Sequence, residues 1–150
     1  MTTLDRLKAD FQTKLTKHPN LKLLILFGSR ARGDSTPASD WNVAFLYDPD
    51  RHPPPDRQPF WFPGSDLLET LSKLLKVPEQ AIDIVDLSNC SDIIAHFIAR
   101  DGQVIYEKTA GDFAQFQQQA LKTTEELKQY CYTQREKMRQ TLQRWQNHAP

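Results

Sequence analysis

An apolar run over residues 21–27 leads directly into Gly28-Ser29, and this junction constrains the fold more than any other part of the chain. Ten residues follow, and then Asp40-Trp41-Asn42 opens a second apolar segment. Apolar runs of this length, bounded by turn-forming residues, are typical of buried strands. The spacing therefore predicts two strands, the first ending in Gly-Ser and the second beginning at an acidic residue.

The remaining patterns predict an α/β fold. Apolar residues at helical spacing predict helices over residues 3–18, 65–76 and 92–100. Apolar runs predict strands over residues 21–27, 42–47, 82–87 and 103–106. Residues 49–64 contain six of the ten prolines, which predicts a loop. This order predicts an α+β two-layer arrangement in which helices cover one face of a single sheet.

The chain changes character after residue 107. Residues 112–146 contain neither glycine nor proline, and their apolar spacing predicts one long helix or two helices with a bend. We therefore expect a domain over residues 1–108 and a helical extension over residues 109–150. A helix of ~35 residues is about 50 Å long, more than a small domain needs. Its far half is a candidate partner surface, although packing on its own domain is the simpler interpretation. The large side chains there are Tyr130, Tyr132, Met138 and Trp145.

Composition argues against several classes of function. Nineteen lysines and arginines balance nineteen acidic residues, whereas broad nucleic-acid binding needs a basic surface. No apolar run approaches the ~20 residues that span a bilayer, and the amphipathic N-terminus is unlike a signal peptide. Cys90 and Cys131 lack zinc-site spacing. We expect a cytoplasmic protein that binds neither membrane nor nucleic acid directly.

The Gly-Ser junction has the chemistry of a phosphate site. Gly28 has no Cβ to hinder close approach, and Ser29 adds a hydroxyl at the start of a predicted helical turn. Arg30 and Arg32 are candidates for bidentate phosphate contacts. Gly-Ser alone is an ordinary strand-to-helix turn, and the acidic residue at a fixed distance is what favours the functional interpretation.

The acidic residues suggest a metal site. Asp40 and Asn42 are two apart along a strand, so their side chains are expected on one face. Mg²⁺ prefers oxygen ligands from one or two carboxylates together with substrate phosphates. Asp83 is the candidate third ligand, because a carboxylate inside an apolar strand is costly to bury without a role. Asp86 has the opposite parity and suits a turn. Asp48 lies about 25 Å further along the second strand.

Other conspicuous residues favour packing roles. The four histidines are scattered, so we expect no histidine metal cluster. Trp41 has the opposite parity to its neighbours and is expected in the core. The aromatic residues 60–62 are candidates for contact with a base or a partner, although closing the edge of their own core is commoner.

Three segments together resemble a known family. They are Leu-Phe-Gly-Ser-Arg-Ala-Arg-Gly at residues 26–33, Ser-Asp-Trp-Asn at 39–42 and Ile-Asp-Ile-Val-Asp-Leu at 82–87. They resemble the minimal nucleotidyltransferases of the polymerase-beta-like superfamily, particularly the MNT-domain antitoxins of toxin–antitoxin pairs. The resemblance covers residues 1–108 and implies that fold for the sheet.

The resemblance also implies a site and a partner. Gly28 and Ser29 would hold the triphosphate of ATP. The magnesium-binding catalytic triad would be Asp40, Asn42 and Asp83. The partner would be a HEPN-domain ribonuclease toxin, and in some family members AMP is transferred from ATP to a tyrosine of that toxin, which silences it.

Asn42 departs from the family pattern, which has Asp at this position. Asn keeps the shape and one oxygen ligand but removes a negative charge, and losing one preorganised electrostatic group commonly costs roughly 10²–10³ in rate. Three functions stay open: AMP transfer to the toxin, masking of the toxin by binding alone, and transfer to a small molecule such as an aminoglycoside. The last is weakest, because we expect no second domain to form a substrate cleft.

Overall fold

The computed structural model describes residues 3–48 and 64–148, so the aromatic segment 60–62 lies outside the described residues. The helices are α1 (Thr3–Gln12), α2 (Ser29–Arg32), α3 (Ser65–Leu75), α4 (Asp92–Asp101), α5 (Asp112–Ala120) and α6 (Thr124–His148). The strands are β1 (Leu21–Phe27), β2 (Trp41–Tyr47), β3 (Ile82–Asp86) and β4 (Gln103–Glu107). Each strand begins and ends within one residue of its predicted bounds.

The first helix ends earlier than predicted. After Gln12 the chain passes through a 3-10 turn at Leu15–Lys17. The ring of His18 then stacks on Phe11 with ring centroids 5.7 Å apart, and its Nε2 lies 2.8 Å from the hydroxyl of Thr70 in α3. A continuous helix would separate Phe11 and His18 by about 10 Å. The prediction of one helix over residues 3–18 is therefore wrong, because these core contacts require the chain to turn.

The four strands form one mixed sheet in the order β3-β2-β1-β4. β1 is antiparallel to both β2 and β4, and β2 is parallel to β3. Leu23, Leu24 and Ile25 of β1 are all buried. The central position of β1 explains why its sequence is continuously apolar from Leu23 to Phe27 rather than alternating.

Helices pack on both faces of this sheet. Residues of α1 and α3 join one cluster, which includes Leu24, Trp41 and Phe45. Residues of α4 and α5 join a second cluster around Leu23, Ile25 and Ala44. The predicted α/β class with flanking helices is confirmed, and Trp41 lies in the core as expected. The expectation that helices cover one face only is wrong, because the second face of β1 and β2 is apolar as well.

The predicted extension consists of two helices. α5 packs Phe113 and Phe116 against the sheet, and α6 begins after a break at residues 121–123. A capping box explains the break: the Thr123 hydroxyl accepts the N–H of Glu126, whose carboxylate accepts the N–H of Thr123. The 25-residue α6 leaves Met138 and Trp145 67% and 75% exposed. Neither α6 nor any other helix within residues 3–48 and 64–148 is apolar enough to cross a membrane.

Candidate active site

The turn between β1 and α2 requires a glycine. Gly28 has a φ of 76°, in the region where L residues are strained. A Cβ at this position would collide with the side-chain amide of Asn42. The carbonyl of Gly28 accepts the N–H groups of Ala31 and Arg32. Ser29 and Arg30 open α2, and the first N–H groups of a helix have no acceptor within it, so these peptide donors can meet an anion.

Strand register brings the candidate metal ligands to one place on the sheet. Asn42 of β2 pairs with Phe27 of β1 on one side and with Asp83 of β3 on the other. Paired residues in neighbouring strands are about 5 Å apart. Asp40 comes two residues before Asn42, immediately ahead of β2. The structure therefore places Asp40, Asn42 and Asp83 near one another, beside the end of β1 that carries Gly28.

The carboxylates of this group face solvent. Asp40 and Asp83 are exposed, and Asn42 is half-buried against the glycine turn. β3 is an edge strand of the sheet, so the side chain of Asp83 keeps its water. The burial argument that singled out Asp83 is therefore wrong, because no desolvation cost arises there. Its position opposite Asn42 nevertheless keeps it in the candidate site.

Asp40, Asn42 and Asp83 supply the type of ligand atom that Mg²⁺ prefers, but they carry only two negative charges. Two carboxylates and an amide oxygen are the hard oxygen ligands that Mg²⁺ prefers. Among the described residues, no group of three or more His, Cys, Asp or Glu side chains could hold a metal ion. Asn is not one of these residue types, so the candidate group contributes two carboxylates, from Asp40 and Asp83. One or two carboxylates plus substrate phosphates suffice for Mg²⁺, so the residues fit a metal ion shared with a nucleotide.

Arg30 points to the loop that follows it. Its Nε and Nη2 donate to the carbonyl oxygen of Ser39 at 3.1 and 2.7 Å. Its guanidinium carbon lies 4.2 Å from the ring centroid of Trp41. The phosphate contact of Arg30 stays a prediction, and two of the nitrogens that it would use, Nε and Nη2, already donate to Ser39.

Arg32 differs from Arg30 in its surroundings. It is exposed and pairs with Asp34 at 3.4 Å. Exposed ion pairs contribute little to stability, so this guanidinium can exchange its partner for a phosphate at small cost.

Sequence reasoning missed one residue that supports the turn. The side-chain amide of Gln103, at the start of β4, donates to the carbonyl of Ala31 in α2. Leu26, one residue from the end of β1, pairs with Gln103 in the sheet, so β4 holds the turn from the side away from β2. A polar residue heading an apolar strand was the only available signal.

Two other acidic residues, Asp86 and Asp48, have structural partners. Asp86 accepts the N–H and the hydroxyl of Ser88 at 3.0 and 2.6 Å, which is the turn role predicted for it. Asp48 pairs with Lys108 at 2.6 Å, beyond the far end of β2. Neither carboxylate is available to the candidate site.

A separate cleft of about 650 Å³ lies beside α3 and the 3-10 turn that precedes β1. Its lining residues include Lys14, His18, Asp66, Thr70 and Lys73. Gly28, Asp40, Asn42 and Asp83 are not among them. We place the candidate site at Asp40, Asn42 and Asp83 instead, because these oxygen ligands lie beside the glycine turn.

Comparison with known proteins assigns the class. Residues 10–110 match the family model described as Polymerase beta, Nucleotidyltransferase, and the chain belongs to this family. The resemblance of the three sequence segments is thereby confirmed. Among individual relatives, protein adenylyltransferase MntA of Aphanizomenon flos-aquae (strain 2012/KM1/D3) is 42% identical over 135 residues, which is 87% of each chain.

Two solved structures share the fold. One is a toxin–antitoxin with AMP-PNP, with a TM-score of 0.58 and 21% identity, covering 91% of this chain and 98% of that one. The other is tri-AMPylated Shewanella oneidensis HEPN toxin in complex with MNT antitoxin, with a TM-score of 0.55 and 19% identity, covering 94% and 99%. At these identities the likeness establishes the fold.

Proposed function

We propose that this protein is an antitoxin that transfers AMP from ATP to a tyrosine of a HEPN-domain toxin and so neutralises it. The observation that carries the proposal is the register that sets Asn42 between the end of β1 and Asp83. The adenylyltransferase MntA, at 42% identity, supports the reaction. The structural neighbours with AMP-PNP and with an AMPylated HEPN toxin support the donor and the partner.

Each site residue then has a task. The peptide donors after Gly28, the hydroxyl of Ser29 and the exposed guanidinium of Arg32 bind the triphosphate. Asp40, Asn42 and Asp83 would hold Mg²⁺. When bound, that ion neutralises phosphate charge and stabilises the departing pyrophosphate.

The transfer step requires a base near the acceptor. A tyrosine hydroxyl has a pKa near 10, so it is protonated at neutral pH. Its oxygen forms a bond to the α-phosphorus of ATP as the bond from that phosphorus to pyrophosphate breaks. The hydroxyl proton passes to the carboxylate of Asp83, and the products are AMP-tyrosine and pyrophosphate. Asp83 is suited to this role because it is exposed on an edge strand, where the side chain of a partner can reach it.

Asn42 favours a second candidate function, in which the protein masks its toxin by contact alone. One missing negative charge weakens cation binding and lowers the rate by roughly 10²–10³. The two functions differ in their need for ATP. If the chain inhibits toxin ribonuclease activity equally with and without ATP, masking suffices, whereas the transferase function predicts inhibition that grows with time only when ATP is present.

The nucleotide part of the proposal is tested by calorimetric titration of ATP with Mg²⁺. The Asn42→Asp variant should bind more tightly than the natural chain, because it restores the third carboxylate. Asp40→Ala should bind more weakly than either. If all three proteins bind ATP with equal affinity, then positions 40 and 42 do not belong to the nucleotide site.

We also propose that α6 contributes to the toxin-binding surface. Leu127, Cys131, Met138, Leu142 and Trp145 fall within about 60° of one another around the helix, at 100° per residue. Residues 127–148 hold five lysines and arginines against one glutamate. Two copies of this helix would repel, so the charge favours a partner helix that carries acidic side chains beside its apolar stripe.

The division of the chain at residues 108 and 109 remains a proposal. Within the extension, α5 belongs physically to the sheet, because Phe113 and Phe116 pack against it. α6 is the part left for a partner.

A further inference from the structure

Arg30 connects the glycine turn at Gly28 and Ser29 to the segment that leads into Asp40. It lies in α2, directly after Gly28 and Ser29, and reaches across to the loop that precedes Asp40. Its Nε and Nη2 both donate to the carbonyl oxygen of Ser39. Nη2 also lies 3.4 Å from the carbonyl oxygens of Thr36 and Pro37. One side chain thus contacts three carbonyls of the same loop.

The carbonyl of Ser39 belongs to the peptide plane that ends at Asp40. A peptide unit is planar, so two hydrogen bonds to this oxygen also fix the orientation of the Asp40 nitrogen. The loop has its own turn, in which the N–H of Thr36 donates to the Ser39 hydroxyl and the N–H of Ser39 to the Thr36 carbonyl, both at 2.9 Å. Residues 33–38 of this loop are all exposed. Arg30 therefore ties an exposed turn to the body of the protein.

Trp41 holds Arg30 from a second direction. The guanidinium stacks over the indole at 4.2 Å, and Trp41 is only 9% exposed. Cation–π contact and the carbonyl bonds together need a planar group with several donors. Lysine has a single charged nitrogen on a flexible stem and cannot satisfy both at once.

We propose that Arg30 is a positioning residue that sets Asp40 beside the glycine turn, rather than a ligand of the triphosphate. The proposal rests on the proposed function for its link to nucleotide. It distinguishes two arginines that stand two residues apart in the same motif. Arg30 acts through Asp40, whereas Arg32 is exposed and faces solvent.

A positioning residue and a phosphate ligand differ in whether their effect on ATP affinity requires a metal ion. Asp40 contributes to nucleotide binding through a cation, so loss of its positioning residue lowers ATP affinity in Mg²⁺ and leaves ATP affinity in EDTA unchanged. Loss of a phosphate-binding arginine lowers both. Arg30→Lys is the informative variant, because it keeps the charge and removes the planar fork. Arg32→Ala is the matched comparison.

Hydrogen exchange tests the positioning role without nucleotide. In Arg30→Lys, exchange at the amides of residues 39–41 should rise several-fold, while the amides of β1 and α3 stay as in the natural chain. Arg32→Ala should leave residues 39–41 unchanged. Unchanged exchange at these residues in Arg30→Lys would overturn the proposal, even if ATP affinity fell.

Titration of ATP tests the link to Asp40. Arg30→Lys should bind ATP about tenfold more weakly in Mg²⁺, or about 1.4 kcal/mol, and no more weakly in EDTA. An equal loss in both conditions would make Arg30 a phosphate ligand and overturn the proposal. If the natural chain binds no ATP in Mg²⁺, the proposed function fails, and hydrogen exchange alone decides whether Arg30 holds the loop.

Discussion

The motif segment, residues 28–42, and helix α6 differ in how the chain treats their functional groups. In the motif segment, backbone carbonyls accept hydrogen bonds from Arg30 and from Gln103 of β4, and Gly28 packs against Asn42. In α6, the large side chains of Met138, Leu142 and Trp145 are more than half exposed. In our proposal, the groups that act on a small ligand are held by contacts within the fold, whereas the groups offered to a protein partner stay largely exposed.

The difference has a physical basis. A site for phosphate and metal needs fixed donors, because reorganisation during the reaction lowers the rate. A helix with little packing is marginally stable, and its order depends on what it packs against. The Thr123–Glu126 capping box and the pair of Glu136 with Arg139 at 3.3 Å support α6 locally. A partner that covers the α6 stripe, formed by Leu127, Cys131, Met138, Leu142 and Trp145, would supply the remaining stability.

The largest expected effect comes from a methyl group added at the motif glycine. Gly28→Ala should abolish ATP binding, because the new Cβ meets the Asn42 amide and the backbone is strained at a φ of 76°. Gly33→Ala is the matched control, since Gly33 has a φ of 88° but nothing within 4 Å of its Cβ position. That variant should bear only the backbone strain, about 1–2 kcal/mol, and keep ATP binding. Calorimetric titration and a thermal melt of each protein test this, and equal loss in both would contradict the close approach at Asn42.

The next effect concerns α6. Replacing Met138, Leu142 and Trp145 with serine should weaken association with the toxin by about 100-fold or more, the scale of interface hot spots. The thermal melt of the chain alone should stay the same, since these side chains are exposed. Alanine at Gln140 and Gln143, on the opposite side of the helix, is the control. Truncation after Lys128 should act like the triple variant.

A fall in melting temperature of several degrees on this truncation would show that α6 seals its own domain. In that case the contrast between the motif segment and α6 disappears.

Features that depend on neighbouring residues are predicted correctly from the sequence, whereas the errors concern contacts between distant parts of the chain. The strand bounds and the turn at Asp86 depend on residues close together in the chain. The end of α1 depends on the contact of His18 with Thr70, 52 positions away. The support of α2 depends on Gln103, 72 positions from Ala31. Contacts across such separations leave no periodic signal.

The position of Arg30 shows the same limit within a single motif. Sequence identifies two arginines after Gly-Ser and assigns both to phosphate. Only the packing of Arg30 on Trp41 and on the Ser39 carbonyl distinguishes them. Residue type and spacing therefore predict the candidate site, while tertiary contacts are the basis on which we propose different roles for its two arginines.

The smallest expected effect is a difference in cysteine reactivity. Cys131 is exposed on the α6 stripe, whereas Cys90 is half-buried and burial raises the pKa of its thiol. A raised pKa means less thiolate at neutral pH, so Cys90 should react slowly with iodoacetamide and faster as the pH rises. Mass spectrometry should show Cys131 alkylated first and protected once the toxin is added. Labelling of Cys131 that is unaffected by the toxin would exclude this part of α6 from the interface.

AMP transfer to the toxin tests the central claim most directly. The toxin is incubated with Mg-ATP and with the natural chain, Asn42→Asp or Asp40→Ala, and its mass is followed over time. We expect slow addition of AMP to a tyrosine by the natural chain, an increase of roughly 10²–10³ in rate for Asn42→Asp, and none for Asp40→Ala. Absence of AMP from the toxin with Asn42→Asp as well as with the natural chain would contradict the account.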